Sequence, residues 1–415
     1  MSAAPEIVPL GELPPPGVVP SRMHAATLRR ERYGEPRDAF AIEEVPVPPL
    51  GPRQVLVAVM AAGINYDVVW AALGQPVDVI AAAQRRGATE EFHVGGSDGA
   101  GIVWAVGEQV TNVHPGDEVV LSCGVWAEAA ADLDGPAGPM GSASAGIWGY
   151  DTNYGSFAQF TRVEHYQCYP RPPQLSWEQA AVYMLTGATA YRQLAGFPPH
   201  TVQPGDGVLV WGGAGGLGSM AIQVTRALGG VPVAVVSGEE KAAFCRGLGA
   251  AGAIDRREFD HWGRLPDIDD AEAIDAWTRD ARAFGRALRD ALGEAPGGSG
   301  VPRIVFEHPG EATLPTSIYV CDTGGMVVIC GGTTGYNADV DLRYLWVRQK
   351  RLQGSHFANP EDCAALNVLV TEGRIDPLLS RSFALTEIGE AHQLMRENRH
   401  PPGNMAVRVG ASVEG

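Results

Sequence analysis

The run Gly213-Ala214-Gly215-Gly216-Leu217-Gly218 follows an apolar stretch, Val208-Leu209-Val210-Trp211. It leads into a segment whose apolar members are Met220, Ile222, Val224 and Leu228. Glycines between a strand and a helix make a tight turn. They let the backbone approach a pyrophosphate, which then sits on the orphan N–H groups of the helix N-terminus. The end of the next apolar stretch selects the dinucleotide. An acid there would accept from the ribose hydroxyls, but the stretch ends Val235-Val236-Ser237-Gly238, with Lys241 and Arg256 close in sequence. A hydroxyl with cations fits a 2′-phosphate. The expected cofactor is therefore NADPH, held by Gly213, Gly215, Gly216, Leu217, Gly218, Ser237, Lys241 and Arg256. Glu239 and Glu240 read as solvated residues at a helix N-terminus, where the dipole favours acids.

Other chemistries leave no trace. No Ser/His/Asp or Cys/His arrangement for a covalent nucleophile stands out. The six cysteines, Cys123, Cys168, Cys245, Cys321, Cys330 and Cys363, are scattered with no Cys-x-x-Cys pair. Neither a disulfide framework nor structural zinc is expected, and reduced cysteines in a cytoplasmic protein are. The net charge of −17 argues against nucleic acid or an anionic membrane as partner. No apolar run reaches the length of a membrane span. Residues 1–22 lack a basic start followed by an apolar core, so no secretory signal is expected. Pro14 to Pro16 mark this segment as a flexible leader, on the surface if packed at all.

At 415 residues with 45% hydrophobic and 19% charged residues, the chain is globular and long enough for two domains. Residues 23–161 are strand-rich. Val55-Leu56-Val57-Ala58-Val59, the run from Gly101 to Gly107 and the turn-plus-strand Pro115 to Leu121 suggest a small irregular barrel. From Pro199 the texture alternates strand and helix, with further strands at Arg303 to Glu307 and Met326 to Cys330. This predicts a parallel, doubly wound sheet. The acidic stretch from Asp267 to Glu294, with its exit Gly297-Gly298-Ser299-Gly300, reads as a surface insertion of helices. After Phe357, two helices and a last strand, Met405 to Val409, complete the first domain. The expected division is 1–22 leader, 23–198 and 358–415 catalytic domain, and 199–357 nucleotide domain.

With these elements laid out, the chain from Met23 onward resembles the medium-chain dehydrogenase/reductase superfamily. The resemblance implies a GroES-like irregular barrel joined to a Rossmann domain. Zinc alcohol dehydrogenases of that superfamily carry a Gly-His-Glu stretch. Here the matching stretch is Gly95-Gly96-Ser97-Asp98-Gly99-Ala100-Gly101, without histidine, and the four-cysteine lobe is missing, which points to the zinc-free branch. A narrower resemblance rests on blocks in order. These are Ile147-Trp148-Gly149-Tyr150-Asp151-Thr152-Asn153, Val210-Trp211-Gly212 with its glycine run, Val305-Phe306-Glu307-His308-Pro309-Gly310, Arg343-Tyr344-Leu345-Trp346 and Gly354-Ser355-His356-Phe357-Ala358-Asn359. They are similar to crotonyl-CoA carboxylase/reductases.

That resemblance implies NADPH, an enoyl-CoA substrate, a homodimer or homotetramer and, in carboxylating members, CO2. Hydride to the β-carbon leaves an enolate that takes a proton or CO2, and the site must stabilise the thioester oxygen and exclude water. The family's CO2 pocket carries over to His356, to Tyr150 with Asp151 in place of the usual Glu, and to Asp67 in place of an Asn. The last change favours protonation. Arg343 and Tyr344 match positions that meet the adenine-phosphate end of CoA, with Lys350 and Arg351 as weaker matches. Thr186 and Thr189, with Gly187, match a helix start near the nicotinamide. Two other readings stay open: a zinc-free quinone or enone reductase of the same fold, and a dinucleotide-binding protein without turnover.

Overall fold

Alternating valine and alanine build one long strand, Gln54–Ile64, buried along nearly its whole length. It pairs antiparallel with Gly99–Val106, with Phe160–Glu164 and with Asn404–Arg408. Glu118–Leu121 and Cys168–Pro170 extend the sheet on one side, and Leu379–Ala384 closes it on the other. Gly101 is required at its position, because a Cβ there would stand 2.2 Å from the Ala58 carbonyl oxygen. The core beneath is filled by Met23, Leu28, Leu56, Phe157, Phe160 and Phe383. This is the irregular barrel. The computed structural model describes residues 5–293 and 300–410.

The second unit is a parallel sheet. Among the described residues its order is Gly252–Asp255, Val231–Val236, Gly207–Trp211, Pro302–Glu307, Met326–Ile329, Arg351–Gly354. The strand order reverses between Gly207–Trp211 and Pro302–Glu307, and ligands of such sheets bind beyond the strand C-termini at that crevice. The run 212–218 leaves Gly207–Trp211 at this point and enters helix Gly216–Ala227.

One expectation is corrected. The acidic stretch is no surface insertion. It forms one helix, Ala271–Gly293, whose Trp277, Ala281, Phe284, Leu288 and Leu292 are buried. Those residues recur on one stripe and face the sheet, so the helix is one of its covering layers. Part of the glycine exit, Gly297 to Ser299, lies outside the described residues. From residue 5 onward the leader packs on the surface of the barrel unit. Gln159 donates to the carbonyls of Val8 and Pro9, Trp104 Nε1 donates to the Val18 carbonyl, and Val8 is buried. The units also divide as Met1–Leu185 with Asn359–Gly415, and Thr186–Ala358, so the break falls earlier than 198/199. It lies in the first turn of helix Met184–Ala195, an element that runs on through the change. Among the described residues no helix is long and apolar enough to cross a membrane.

Candidate active site

In the barrel unit the reactive candidates gather at the start of helix Tyr66–Leu73. Asp67 sits in its first turn. One carboxylate oxygen accepts from the Val68 N–H at 2.9 Å, and the other accepts from the Ser97 hydroxyl. The residue is half-buried. Desolvation outweighs these hydrogen bonds and pushes its pKa up to about 6, with a smaller contribution from the negative charge of Asp151. Asp98 is fully buried beside it and accepts from the Leu185 N–H at 3.2 Å. Burial, with the Asp67 charge, holds the Asp98 carboxyl well above the usual range. Asp151 folds back on its own turn and accepts from the Ile147 N–H at 2.8 Å. Tyr150 packs against the barrel core. His356 belongs to the other unit, exposed just beyond strand Arg351–Gly354.

In the parallel-sheet unit the glycine run fits a phosphate cradle. A Cβ on Gly218 would stand 2.3 Å from the Gly212 carbonyl oxygen, and one on Gly213 would stand 2.7 Å from Ala234 Cβ. Gly215 caps the helix with no side-chain bond, and the space beside it is open to within 3.5 Å. Packing thus demands the flanking glycines, while the middle one leaves the helix N-terminus approachable. Ser237 and Gly238 follow strand Val231–Val236 and are partly exposed. The cation lying over Gly238 is Arg257, with Nη2 3.0 Å from the point a Cβ would take. Its Nε and Nη2 fork onto Asp255 at 2.6–3.0 Å. Arg256 opens the same short turn, and its carbonyl accepts from Trp262 Nε1. Lys241 is the third residue of helix Glu239–Gly247. Thr186 and Thr189 are buried in helix Met184–Ala195.

The structure separates Arg343 from Tyr344. Arg343 forks onto Asp341 at 2.7–3.1 Å and lines a cavity of about 810 Å³ together with Asp339, Leu342 and Trp346. Tyr344 makes an edge contact with Tyr319, their centroids 5.0 Å apart. Both tyrosines line a second cavity of about 630 Å³ with Arg282, Arg286, Arg289, Arg348 and Lys350. Lys350 Nζ donates to the carbonyls of Ile318 and Tyr319, so the exposed arginines are the cations left to face a ligand. The reading of the sequence missed this cluster and Arg257. A signal was present, because Arg282, Arg286 and Arg289 recur at helical spacing beside the buried stripe. Arg257 had none, since it differs from Arg256 only in the direction its turn gives it.

Residues 51–173 match the alcohol dehydrogenase GroES-like domain, and residues 216–372 match the zinc-binding dehydrogenase domain. Among the described residues no group of three or more His, Cys, Asp or Glu could hold a metal ion. The chain is 49% identical to the crotonyl-CoA carboxylase/reductase of Cereibacter sphaeroides, over 99% of this chain and 93% of the relative. A solved crotonyl-CoA carboxylase/reductase, AntE in complex with NADP, superposes with a TM-score of 0.94 at 60% identity, over 98% of this chain and 99% of that one. The 2-octenoyl-CoA carboxylase reductase CinF, solved with NADP and 2-octenoyl-CoA, superposes at 0.86 with 37% identity, over 96% and 90%.

Proposed function

Because this chain belongs to the crotonyl-CoA carboxylase/reductases of the medium-chain dehydrogenase/reductase superfamily, we propose that it reduces the double bond of a short-chain α,β-unsaturated acyl-CoA with NADPH. The observation that carries the substrate class is the cavity beside Tyr319 and Tyr344 with its arginines. A guanidinium cluster next to aromatic rings suits a phosphorylated adenosine, the part of CoA that a free quinone or enone lacks. NADPH, when bound, supplies hydride to the β-carbon and leaves negative charge on the thioester enolate.

The chain's own residues then decide the fate of that charge. Gly215 and the helix start hold the pyrophosphate, while Ser237, Arg257, Lys241 and Arg256 hold the 2′-phosphate. Asp67, with its pKa raised to about 6, holds below about that pH a proton that it can deliver to the enolate α-carbon. Once ionised it repels a carboxylate forming on the same carbon, so both states favour protonation over carboxylation. Tyr150 and Asp151 in the barrel unit, and His356 in the parallel-sheet unit, are the remaining candidates. Six cysteines without disulfides fit a reducing, cytoplasmic setting.

The test is NADPH oxidation with crotonyl-CoA, acryloyl-CoA and longer enoyl-CoAs, set against a quinone panel. Turnover of enoyl-CoA with the saturated acyl-CoA as main product in low bicarbonate is the expected result. Turnover of quinones alone would move the chain to the enone reductases.

A further inference from the structure

The block Val305-Phe306-Glu307-His308-Pro309-Gly310 has no part in the chemistry above, yet it places two ionisable side chains under the dinucleotide turn. Glu307 ends strand Pro302–Glu307 and is fully buried. One of its oxygens accepts from the Gly310 N–H at 3.0 Å and from Thr313 Oγ1 at 2.7 Å. The other accepts from Ser317 Oγ, which in turn accepts from Trp211 Nε1 at 2.8 Å. The serine hydroxyl donates its one hydrogen to the carboxylate, so its oxygen is left to accept from the indole N–H. The backbone of the same tryptophan is held from another side. His308 Nε2 donates to the Trp211 carbonyl at 3.0 Å. The imidazole also lies against Gly212, where a Cβ would stand 2.7 Å from Nε2. Gly212 has φ +58°, and its carbonyl oxygen is the atom on which Gly218 packs.

We propose that Glu307 and His308 are positioning residues for the dinucleotide turn, acting through Trp211: Glu307 fixes its indole by way of Ser317, and His308 fixes its carbonyl. Trp211 is the last strand residue before the glycines. Holding it at both ends sets the direction in which the chain leaves the strand, and thereby where the helix N–H groups stand. Burial keeps His308 neutral, with its pKa lowered to about 4, so its ring carries the single Nε2 proton that this bond needs. Neither residue touches the substrate in this account. The inference rests on reading residues 212–218 as the NADPH site.

The test is titration of the full-length protein with NADPH, followed by steady-state kinetics. His308→Leu removes the side-chain hydrogen bond to the Trp211 carbonyl, and NADPH affinity is expected to fall roughly 3- to 10-fold. The KM for NADPH rises in parallel, while the KM for the acyl-CoA stays within about twofold. His308→Gln keeps an N–H donor at a similar reach, and is expected to recover most of the affinity. Wild-type affinity in His308→Leu, or no recovery in His308→Gln, would overturn the inference. Should His308→Leu fail to fold, Ser317→Ala breaks the link between Glu307 and the indole and must weaken NADPH binding in the same direction. Unchanged binding there would overturn the inference equally. A wild-type protein that does not bind NADPH would instead remove the reading of the turn itself.

Discussion

Asp67 is where the choice between a proton and CO2 is made in this account. Its carboxyl is raised from a usual value of 3.8 to about 6. The proton-donating form therefore dominates below about pH 6 and is lost as pH rises through that value. The rate of saturated acyl-CoA formation should show a limb falling above about pH 6 in the wild type. In Asp67→Asn the limb disappears and, in bicarbonate, the product ratio shifts towards the carboxylated acyl-CoA. A pH profile unchanged by the substitution would remove Asp67 from the protonation step. Cofactor choice is likewise proposed to rest on single residues. Arg257→Ala should lower the preference for NADPH over NADH by roughly 10- to 100-fold, as for a lost charge-assisted phosphate contact. Lys241→Ala is the parallel test of Lys241. Preference ratios from kcat/KM with each cofactor decide both. At this scale the sequence revealed residue types better than directions. Ser237 and the glycines stand where the pattern put them, beyond and between consecutive strands. That Asp151 turns back onto Ile147, and that Arg257 covers Gly238, depends on local turns with no signature of their own.

Strands and helices were legible wherever a single period dominated. Gly207–Trp211 and Val231–Val236 are unbroken apolar runs, as strands buried on both faces must be. Helix Ala271–Gly293 was misjudged because its acidic and arginine-rich flank outweighs a narrow apolar stripe. The two faces of that helix now make different predictions. Leu288→Ala empties a core position and should cost about 2–5 kcal/mol of stability, read by denaturant unfolding. Arg286→Ala should leave stability within about 0.5 kcal/mol, as for ordinary surface positions. It should instead raise the KM for the acyl-CoA several-fold, with a weaker dependence of KM on salt. If Arg286→Ala changed stability and not KM, the cavity beside Tyr344 would be no CoA site. The leader's attachment was not legible for a related reason. Proline-rich sequence shows no period, and residues 5–22 are held largely by carbonyls accepting from Gln159 and Trp104, a pairing between distant positions.

Across the whole molecule, a net charge of −17 surrounds a local cluster of arginines. Screening over about 10 Å at 0.1 M salt lets the cluster act on an anionic substrate despite the overall sign. Strand Arg351–Gly354 ends the parallel sheet among the described residues, and Leu342, Trp346, Val347 and Leu352 are exposed, Trp346 at 63%. An open strand edge beside apolar side chains suits a second copy of the chain. Light scattering should therefore report a dimer or larger species, and Trp346→Asp should shift it towards a smaller one. A monomeric wild type would remove the homo-oligomer from this account. The most direct test of the central claim is isotopic. NADPH deuterated on its reactive C4 face, incubated with crotonyl-CoA, is predicted to give butyryl-CoA carrying one deuterium at the β-carbon, located by mass spectrometry and NMR. An acyl-CoA product with no deuterium at the β-carbon, or no acyl-CoA product at all, would contradict it.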